Sequence, residues 1–276
     1  MSWRLLVHGS ASGPFNMGVD EALLATAIRD GVPSLRFYTW DGPWLSLGYA
    51  QPLAAKRARH LTGAGVGVVR RVTGGRAVLH GADLTYSIAA PEGLLPAGVR
   101  ASYGLVADAL LVALAELGVV ADRSDSEARA PEAGVFDCFA RPAADEICLA
   151  GRKLSGSAQR RVAGALLQHG SIRLAPDPPA AVSAVAPGAS GLGGTSLAEA
   201  GCPLSRNALV QACIEAFQEM LRAGFERVDL RPEELEQARA RGPEPTITSR
   251  LQSASRLPIP PDLWGKSPQE SPSSTR

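Results

Sequence analysis

The sequence predicts a mixed α+β domain. Two observations carry that expectation. Short strand-like runs alternate with helical stretches along most of the chain, and several runs are joined closely enough for hairpins. Hydrophobic residues make up 45% of the 276 residues and charged residues 20%, enough apolar surface for a single large core. The 28 Lys+Arg and 27 Asp+Glu leave a net charge of +1, which supplies no global field for gripping nucleic acid or anionic lipid.

The first strand is expected over Trp3–Val7. Asn16 can cap a helix that runs to about Ile28 and stops at Gly31. Strand-like runs at Leu35–Thr39 and Trp44–Tyr49 flank the turn-forming Asp41-Gly42-Pro43. A short basic helix from about Leu53 to Leu61 ends near Gly63, followed by strands at Val66–Val72, Arg76–Leu79 and Leu84–Ala89. The most apolar stretch, Leu105–Val120, carries Asp108 and Glu116, so a helix over about 102–117 reads as amphipathic and not as a membrane span.

Further on, Val119–Ala121 looks strand-like and Ser124–Ala133 like a polar loop. Glu146–Ala150 and Leu166–Leu174 read as β segments with Lys153–Val162 between them. Pro176, Pro178 and Pro179 break the chain, a Gly-rich loop spans Gly188–Gly194, and helices follow at Arg206–Leu221 and Pro232–Ala240. Residues 243–276 hold seven of the 21 prolines and seven serines, so residues 1–241 are expected to form the domain and 242–276 a disordered tail.

No GxxxxGK[ST], GxSxG or HExxH pattern occurs. His8, His60, His80 and His169 are scattered, so no metal site is expected. Cys138, Cys148, Cys202 and Cys213 form no CxxC pair. Four reduced thiols in a cytoplasmic protein is the simplest reading, and the N-terminus lacks the long apolar run of a signal peptide. Cys148 reads as core, Cys213 as helical and Cys202 is undecided; Cys138 sits on a loop and is more available.

Three segments carry chemical information. In Arg70-Arg71-Val72-Thr73-Gly74-Gly75-Arg76-Ala77-Val78-Leu79-His80, two glycines let the backbone approach a ligand and present N–H groups. In Gly151-Arg152-Lys153-Leu154-Ser155-Gly156-Ser157-Ala158-Gln159, a lysine follows a turn and small residues leave space beside its amine; Leu167-Gln168-His169-Gly170-Ser171 lies just after. The third is Asp137-Cys138-Phe139. Taken singly, each has an ordinary structural explanation.

Taken together and in this order, with Leu84-Thr85-Tyr86-Ser87 and Phe15-Asn16-Met17-Gly18-Val19-Asp20-Glu21-Ala22-Leu23-Leu24, they resemble the biotin/lipoate protein ligase and lipoyl-transferase superfamily over about Trp3–Leu230. That resemblance implies a biotin/lipoate ligase-like catalytic domain with a mixed, largely antiparallel sheet flanked by helices. Cys138-Phe139 and the 15-residue step to Lys153 resemble its cysteine-dependent octanoyltransferases of the LipM type. There the cysteine carries an acyl thioester and the lysine lowers its pKa. Asp145-Glu146 stands where the ATP-dependent lipoate ligases have Asn-Asp.

The resemblance implies transfer of an octanoyl group from octanoyl-acyl carrier protein to a lysine of a lipoyl domain, such as the glycine cleavage H protein or a 2-oxoacid dehydrogenase E2. It implies no cofactor. Cys138 and Lys153 would be catalytic. Arg70, Thr73, Gly74, Gly75, Arg76, His80, Ser155, Gly156, Ala158, His169 and Gly170 would bind substrate, the histidines shaping the pocket. N–H groups near Gly75 or Gly156 are candidate oxyanion donors, and Val72, Leu79 and Ala158 candidate walls of an acyl slot. The arginines around Gly74-Gly75 are the expected landing area for an acidic carrier, docked transiently on a monomer. An ATP-dependent lipoate ligase and a non-catalytic acyl-chain or carrier-binding protein are the alternatives.

Overall fold

The structure, a computed structural model, describes residues 2–124, 145–189 and 191–241. Cys138 and the tail 242–276 lie outside the described residues. Among the described residues the main sheet has eight strands. In spatial order they are β11 (Gly224–Arg227), β1 (Ser2–Ala11), β2 (Ser34–Trp40), β6 (Asp83–Pro91), β10 (Ala165–Arg173), β9 (Arg152–Val162), β8 (Ile147–Leu149) and β7 (Asp122–Arg123). The pairings of β1 with β11 and with β2 are parallel; the rest are antiparallel. A smaller sheet sets β3 (Trp44–Leu47) between β4 (Gly67–Arg70) and β5 (Val78–His80).

Strand alternation decides what each face of the main sheet meets. Leu35 and Phe37 of β2, Leu84, Tyr86 and Ile88 of β6, and Leu166 and Ile172 of β10 point to one side. There they pack with Leu110 of α3 (Val99–Glu116) and Phe217 of α5 (Arg206–Leu221). The intervening residues point to α1 (Gly13–Asp30), where Leu6, Leu23, Leu24, Ala89 and Leu167 form a second core joined by Ala238 of α6 (Pro232–Ala240). A third core, with Leu47, Leu61 and Leu79, lies between the small sheet, α2 (Ala55–Gly63) and α4 (Pro179–Val185).

The anticipated elements fold with their ends moved by a few residues. Helix α1 starts one turn earlier than Asn16 predicts. The Ser12 hydroxyl accepts from Phe15 N (3.4 Å), Pro14 fits the first turn, and Gly31 ends the helix at φ 68°. Asn16 is instead buried inside the helix, donating to the carbonyls of Ala11 (3.1 Å) and Thr39 (3.0 Å). Lys153–Val162 belongs to an 11-residue strand. Its two hairpins turn through Ala150-Gly151 (φ 50° and 72°) and Ala163-Gly164 (φ 48° and 77°), the left-handed pairs that two-residue loops require.

Among the described residues three elements have no forecast, one of them the short 3-10 turn Glu92–Leu94. Pro178-Pro179, read as a break, opens α4, since proline is tolerated in a helix's first turn. Strand β11 is short and mostly exposed, and it exists because β1 offers it an edge through Ser2–Leu5. Among the described residues, no helix is long and apolar enough to cross a membrane.

Candidate active site

A cleft of about 440 Å3, partly open to solvent, separates the small sheet from the main one. Ser46, Arg71, Gly75, Val78 and His80 form the small-sheet wall. Tyr38, Trp40, Thr85, Gly156, Ser157, Ala158, His169, Gly170 and Ser171 form the main-sheet wall, and Met17 of α1 closes one side.

Two buried carboxylates organise these walls. Asp20, one helical turn beyond Asn16, accepts from Arg36 Nη1 (2.8 Å), Tyr38 OH (2.8 Å), Ser87 Oγ (2.8 Å) and His169 Nδ1 (3.0 Å). Burial disfavours its charge, but Arg36 and these donors prevail and hold the carboxyl below its ordinary range. His169 runs the other way: burial lowers its pKa against the pull of Asp20. With Nδ1–H given to Asp20, the neutral ring accepts at Nε2 from Thr73 Oγ1 (2.6 Å). Asp20 is thereby linked through His169 to the Thr73-Gly74-Gly75 loop.

Asp83, at the start of β6, repeats the device and reaches across to His80 of the small-sheet wall. It accepts from His80 Nδ1 (2.8 Å), Ser171 Oγ (2.6 Å), Thr85 Oγ1 (2.9 Å) and the Gly81 N–H (2.9 Å). Burial again opposes ionisation, and His80 with the other donors outweighs it, so the carboxyl titrates below its ordinary value. The His80 ring stacks on Trp40 with centroids 4.0 Å apart, and its Nε2 lies 2.8 Å from Ser46 Oγ. A carboxylate at Nδ1 therefore fixes the ring plane of both histidines.

Arg71 fastens the Gly-Gly loop. It donates to the carbonyls of Ser46 (2.9 Å), Gly74 (2.8 Å) and Arg76 (2.7 Å). Gly75 has φ 90°, and its carbonyl lies where a Cβ on Gly48 would stand, 1.9 Å away. The glycine at 48 is required by that approach.

Lys153 is 1% exposed, and its Nζ donates to Glu146 Oε1 at 2.6 Å. The β8–β9 hairpin sets the two side chains together. A Cβ on Gly156 would stand 2.9 Å from Lys153 Cε and 3.0 Å from Nζ, so the amine lies against a glycine that lines the cleft. The small residues after the lysine thus bring the cleft wall up to its amine.

Of the substrate-binding residues anticipated, Gly75, His80, Gly156, Ala158, His169 and Gly170 line the cleft. Gly74 is exposed beside it and Arg76 is half-buried. Thr73 is buried and bonded to His169. Ser155 is also buried, and among the described residues its hydroxyl has no hydrogen-bond partner. Arg70 is turned toward the carbonyls of Gly48 (2.8 Å), Tyr49 (3.1 Å) and Gln51 (2.7 Å).

The apolar walls differ from those anticipated. Val78 and His80 face the cleft, so Leu79 between them points into the core beneath the small sheet. Val72 packs in the α1 core, and Ala158 alone of the three expected lines the cleft. Sequence reasoning passed over Asp20, Tyr38, Trp40, Ser46, Asp83 and Glu146. Asp20 lay within a quoted motif, and for Asp83, between two of them, a carboxylate three residues after His80 was the available signal.

The described cysteines are not activated by their surroundings where a shift is evident. Burial pushes the Cys148 thiol up, and for Cys213 it does so to about 12. Cys202 is half-buried beside the Ala200 carbonyl. Among the described residues, no cluster of His, Cys, Asp and Glu is arranged to hold a metal ion.

This architecture recurs in solved structures. Lipoate-protein ligase A bound with ATP superposes with a TM-score of 0.67 at 22% identity, over 87% of this chain and 94% of that one. The bi-partite lipoate protein ligase of Thermoplasma acidophilum gives 0.64 at 21% identity, over 87% and 91%. At such identities the likeness is one of fold.

Sequence relatives are nearer. Octanoyltransferase LipM of Kyrpidia tusciae is 40% identical over 259 residues, covering 86% of this chain and 93% of that protein. Octanoyltransferase LipM of Symbiobacterium thermophilum is 44% identical over 184 residues, covering 64% and 67%. A family model, the lipoyl protein ligase A/B catalytic domain, matches residues 12–218, a span that begins at the Ser12 cap of α1, takes in both cleft walls and ends within α5. With the sheet order, the cleft and the match agreeing across that span, the chain belongs to the lipoyl protein ligase A/B catalytic domain family.

Proposed function

We propose that the protein is an octanoyltransferase that moves an octanoyl group from an acyl carrier protein thioester to a lysine of a lipoyl domain, with Cys138 carrying the group in between. The observation that carries the activity is the 40% identity to octanoyltransferase LipM of Kyrpidia tusciae over 86% of the chain. The buried Lys153 amine against the cleft wall supports the assignment of roles.

In this reading the Cys138 thiolate attacks the thioester carbonyl. The C–S bond to the carrier breaks, and the departing carrier thiolate takes up the proton that Cys138 gave up on ionising. The acceptor lysine amine then attacks the Cys138 thioester, forms the amide and releases the Cys138 thiol. A free cysteine titrates near about 8.5, so a cation beside it raises the thiolate fraction at neutral pH. Lys153 fills that role, held in place by Glu146. Exchange between thioesters is close to neutral and amide formation from a thioester is downhill, so no nucleotide is consumed. An acyl chain of eight carbons gains several kcal/mol on burial, at about 0.8 kcal/mol per CH2, and Met17, Tyr38, Trp40 and Val78 supply apolar wall.

Donor and acceptor dock transiently on a monomer made of residues 1–241, in a reducing, cytoplasmic setting that keeps the thiol free; the tail 242–276 is given no role. The glycine cleavage H protein and 2-oxoacid dehydrogenase E2 are the acceptors to test. Intact-protein mass spectrometry after incubation with octanoyl-acyl carrier protein, without ATP, decides the matter. Wild type is expected to gain one hydroxylamine-sensitive octanoyl group and Cys138→Ser none. Acylation of a lipoyl domain only on adding free octanoate and ATP would place the protein among the ligases instead.

A further inference from the structure

The register of the main sheet lays a straight lane along the cleft. Gly156 of β9 stands opposite Ser171 of β10, Ser171 opposite Thr85 of β6, and Thr85 opposite Tyr38 of β2. All four line the cleft. Residues opposite one another on neighbouring strands share a face, and the strands lie about 4.8 Å apart. The Lys153 amine lies against Gly156, so the lane starts where the thioester is read to react. An extended eight-carbon chain, a zigzag of bonds of about 1.5 Å, covers roughly two of these spacings. Its far end then lies over Thr85.

The side chains around that end are polar, yet their hydrogens are taken up by the protein. Tyr38 OH and His169 Nδ1 donate to Asp20. Thr85 Oγ1 (2.9 Å), Ser171 Oγ (2.6 Å) and His80 Nδ1 (2.8 Å) donate to Asp83, which is buried behind them. The Trp40 indole N–H donates to Thr85 Oγ1 (2.8 Å). Across the cleft, Arg71 gives Nη1 to Ser46 Oγ (3.1 Å) and Nη2 to the carbonyls of Gly74 and Arg76. A wall of hydroxyls, imidazoles and an indole thus offers a bound chain little to bond to. A carbonyl oxygen placed there would lose water and gain no donor, which costs free energy.

Resting on the octanoyltransferase reading, we propose that Asp83 and Thr85 determine specificity: by taking up the donors of the wall they make the far end of the acyl lane apolar in effect, so that the site selects a saturated hydrocarbon chain and refuses one with a carbonyl near its end. Asp83 acts from behind the wall, and Thr85 passes the Trp40 N–H on to it.

The test follows transfer by the full-length protein to a lipoyl domain from a carrier protein loaded with octanoyl, 7-methyloctanoyl or 7-oxooctanoyl groups. The last two have nearly the same shape at the far end and differ in polarity. Wild type is expected to favour 7-methyloctanoyl over 7-oxooctanoyl by about a hundredfold in kcat/KM, the discrimination an apolar pocket exerts against an added polar group. Thr85→Val keeps the shape of the side chain but leaves the Trp40 N–H without its acceptor, a donor that the ketone can use. It is expected to narrow the ratio by about tenfold or more, although it makes the wall itself less polar. Ser171→Ala takes a donor from Asp83 and frees none, so its ratio is expected to match wild type. Because the readout is a ratio, any general loss of activity cancels. Thr85→Ala, which strands the same N–H, replaces the valine variant if that one misfolds.

A wild-type ratio near one overturns the proposal: with both chains poor beside octanoyl the lane reads bulk, and with both good it reads nothing at its far end. An unchanged ratio in a folded Thr85 variant overturns it as well, and so does equal narrowing in Ser171→Ala. Transfer of none of the three chains by wild type would instead remove the octanoyltransferase reading.

Discussion

Gly48 shows how a single position can govern the cleft. A methyl group there would stand 1.9 Å from the Gly75 carbonyl, and that contact is with backbone, which cannot rotate away. Gly48→Ala must therefore displace Thr73-Gly74-Gly75, the loop that Arg71 and His169 hold in place. We expect the rate of octanoyl transfer to fall by about tenfold or more, since loss of positioning alone has effects of that order, with far-UV circular dichroism unchanged. A wild-type rate would show that the loop's position is immaterial. The sequence made this loop visible through its two glycines, but the glycine that faces it lies well upstream and is unremarkable by itself. Lys153 was legible in its motif. Its partner Glu146 was noted only as a departure from the ligases, because nothing in a linear pattern says that a β-hairpin will bring the two within 2.6 Å.

Among the elements, α1 depends on a polar contact more than on amphipathic packing. Asn16 and Asp20 lie one turn apart on the same buried face, where they receive Arg36 and, at Asp20, Tyr38, Ser87 and His169. Arg36 is itself fully buried, so removing the carboxylate charge would leave a guanidinium stranded. Breaking a buried pair costs about 3–5 kcal/mol. Asp20→Asn is therefore expected to lower Tm by roughly 10 °C and to unfasten His169 from the loop. A Tm within about 2 °C of wild type would mean that the network is dispensable. The helix was plain in the sequence, as were α5 and α6, whose bounds match their forecast. Its start was misplaced because two cap-forming residues, Ser12 and Asn16, compete one turn apart, and burial of Asn16 decided between them.

On the scale of the whole molecule, stability should follow the histidines and then the carboxylates. Burial, helped by Arg36, lowers His8 from 6.5 to about 4, and burial lowers His169 as well. The unfolded chain takes up both protons near pH 6.5 and the folded chain only at lower pH. Stability is thus full above about 6.5 and declines as pH falls toward 4. Asp20, Asp83 and Glu234 have folded pKa values below their ordinary ones, so their contribution is present above about pH 4 and is lost on further acidification. Urea midpoints measured from pH 7.5 to 5 should fall steadily. A flat profile would show that the buried imidazoles do not resist protonation.

What the sequence determined by itself was the alternation of elements, the family likeness and the identity of the lysine, the glycines and the two histidines at the cleft. Those features rest on local periodicity, turn chemistry and motif order, which survive in one dimension. Tertiary structure alone decided that β3, β4 and β5 leave the main sheet to form a separate wall, since strand propensity does not specify a partner. It decided that Val78 and not Leu79 faces the cleft, because a shift of one residue reverses a strand's faces. It also paired each buried histidine with a carboxylate. Asp83 is three residues from its partner and Asp20 lies 149 residues from His169, and only the packing of α1 across the sheet brings the second pair to 3.0 Å, against 2.8 Å in the first.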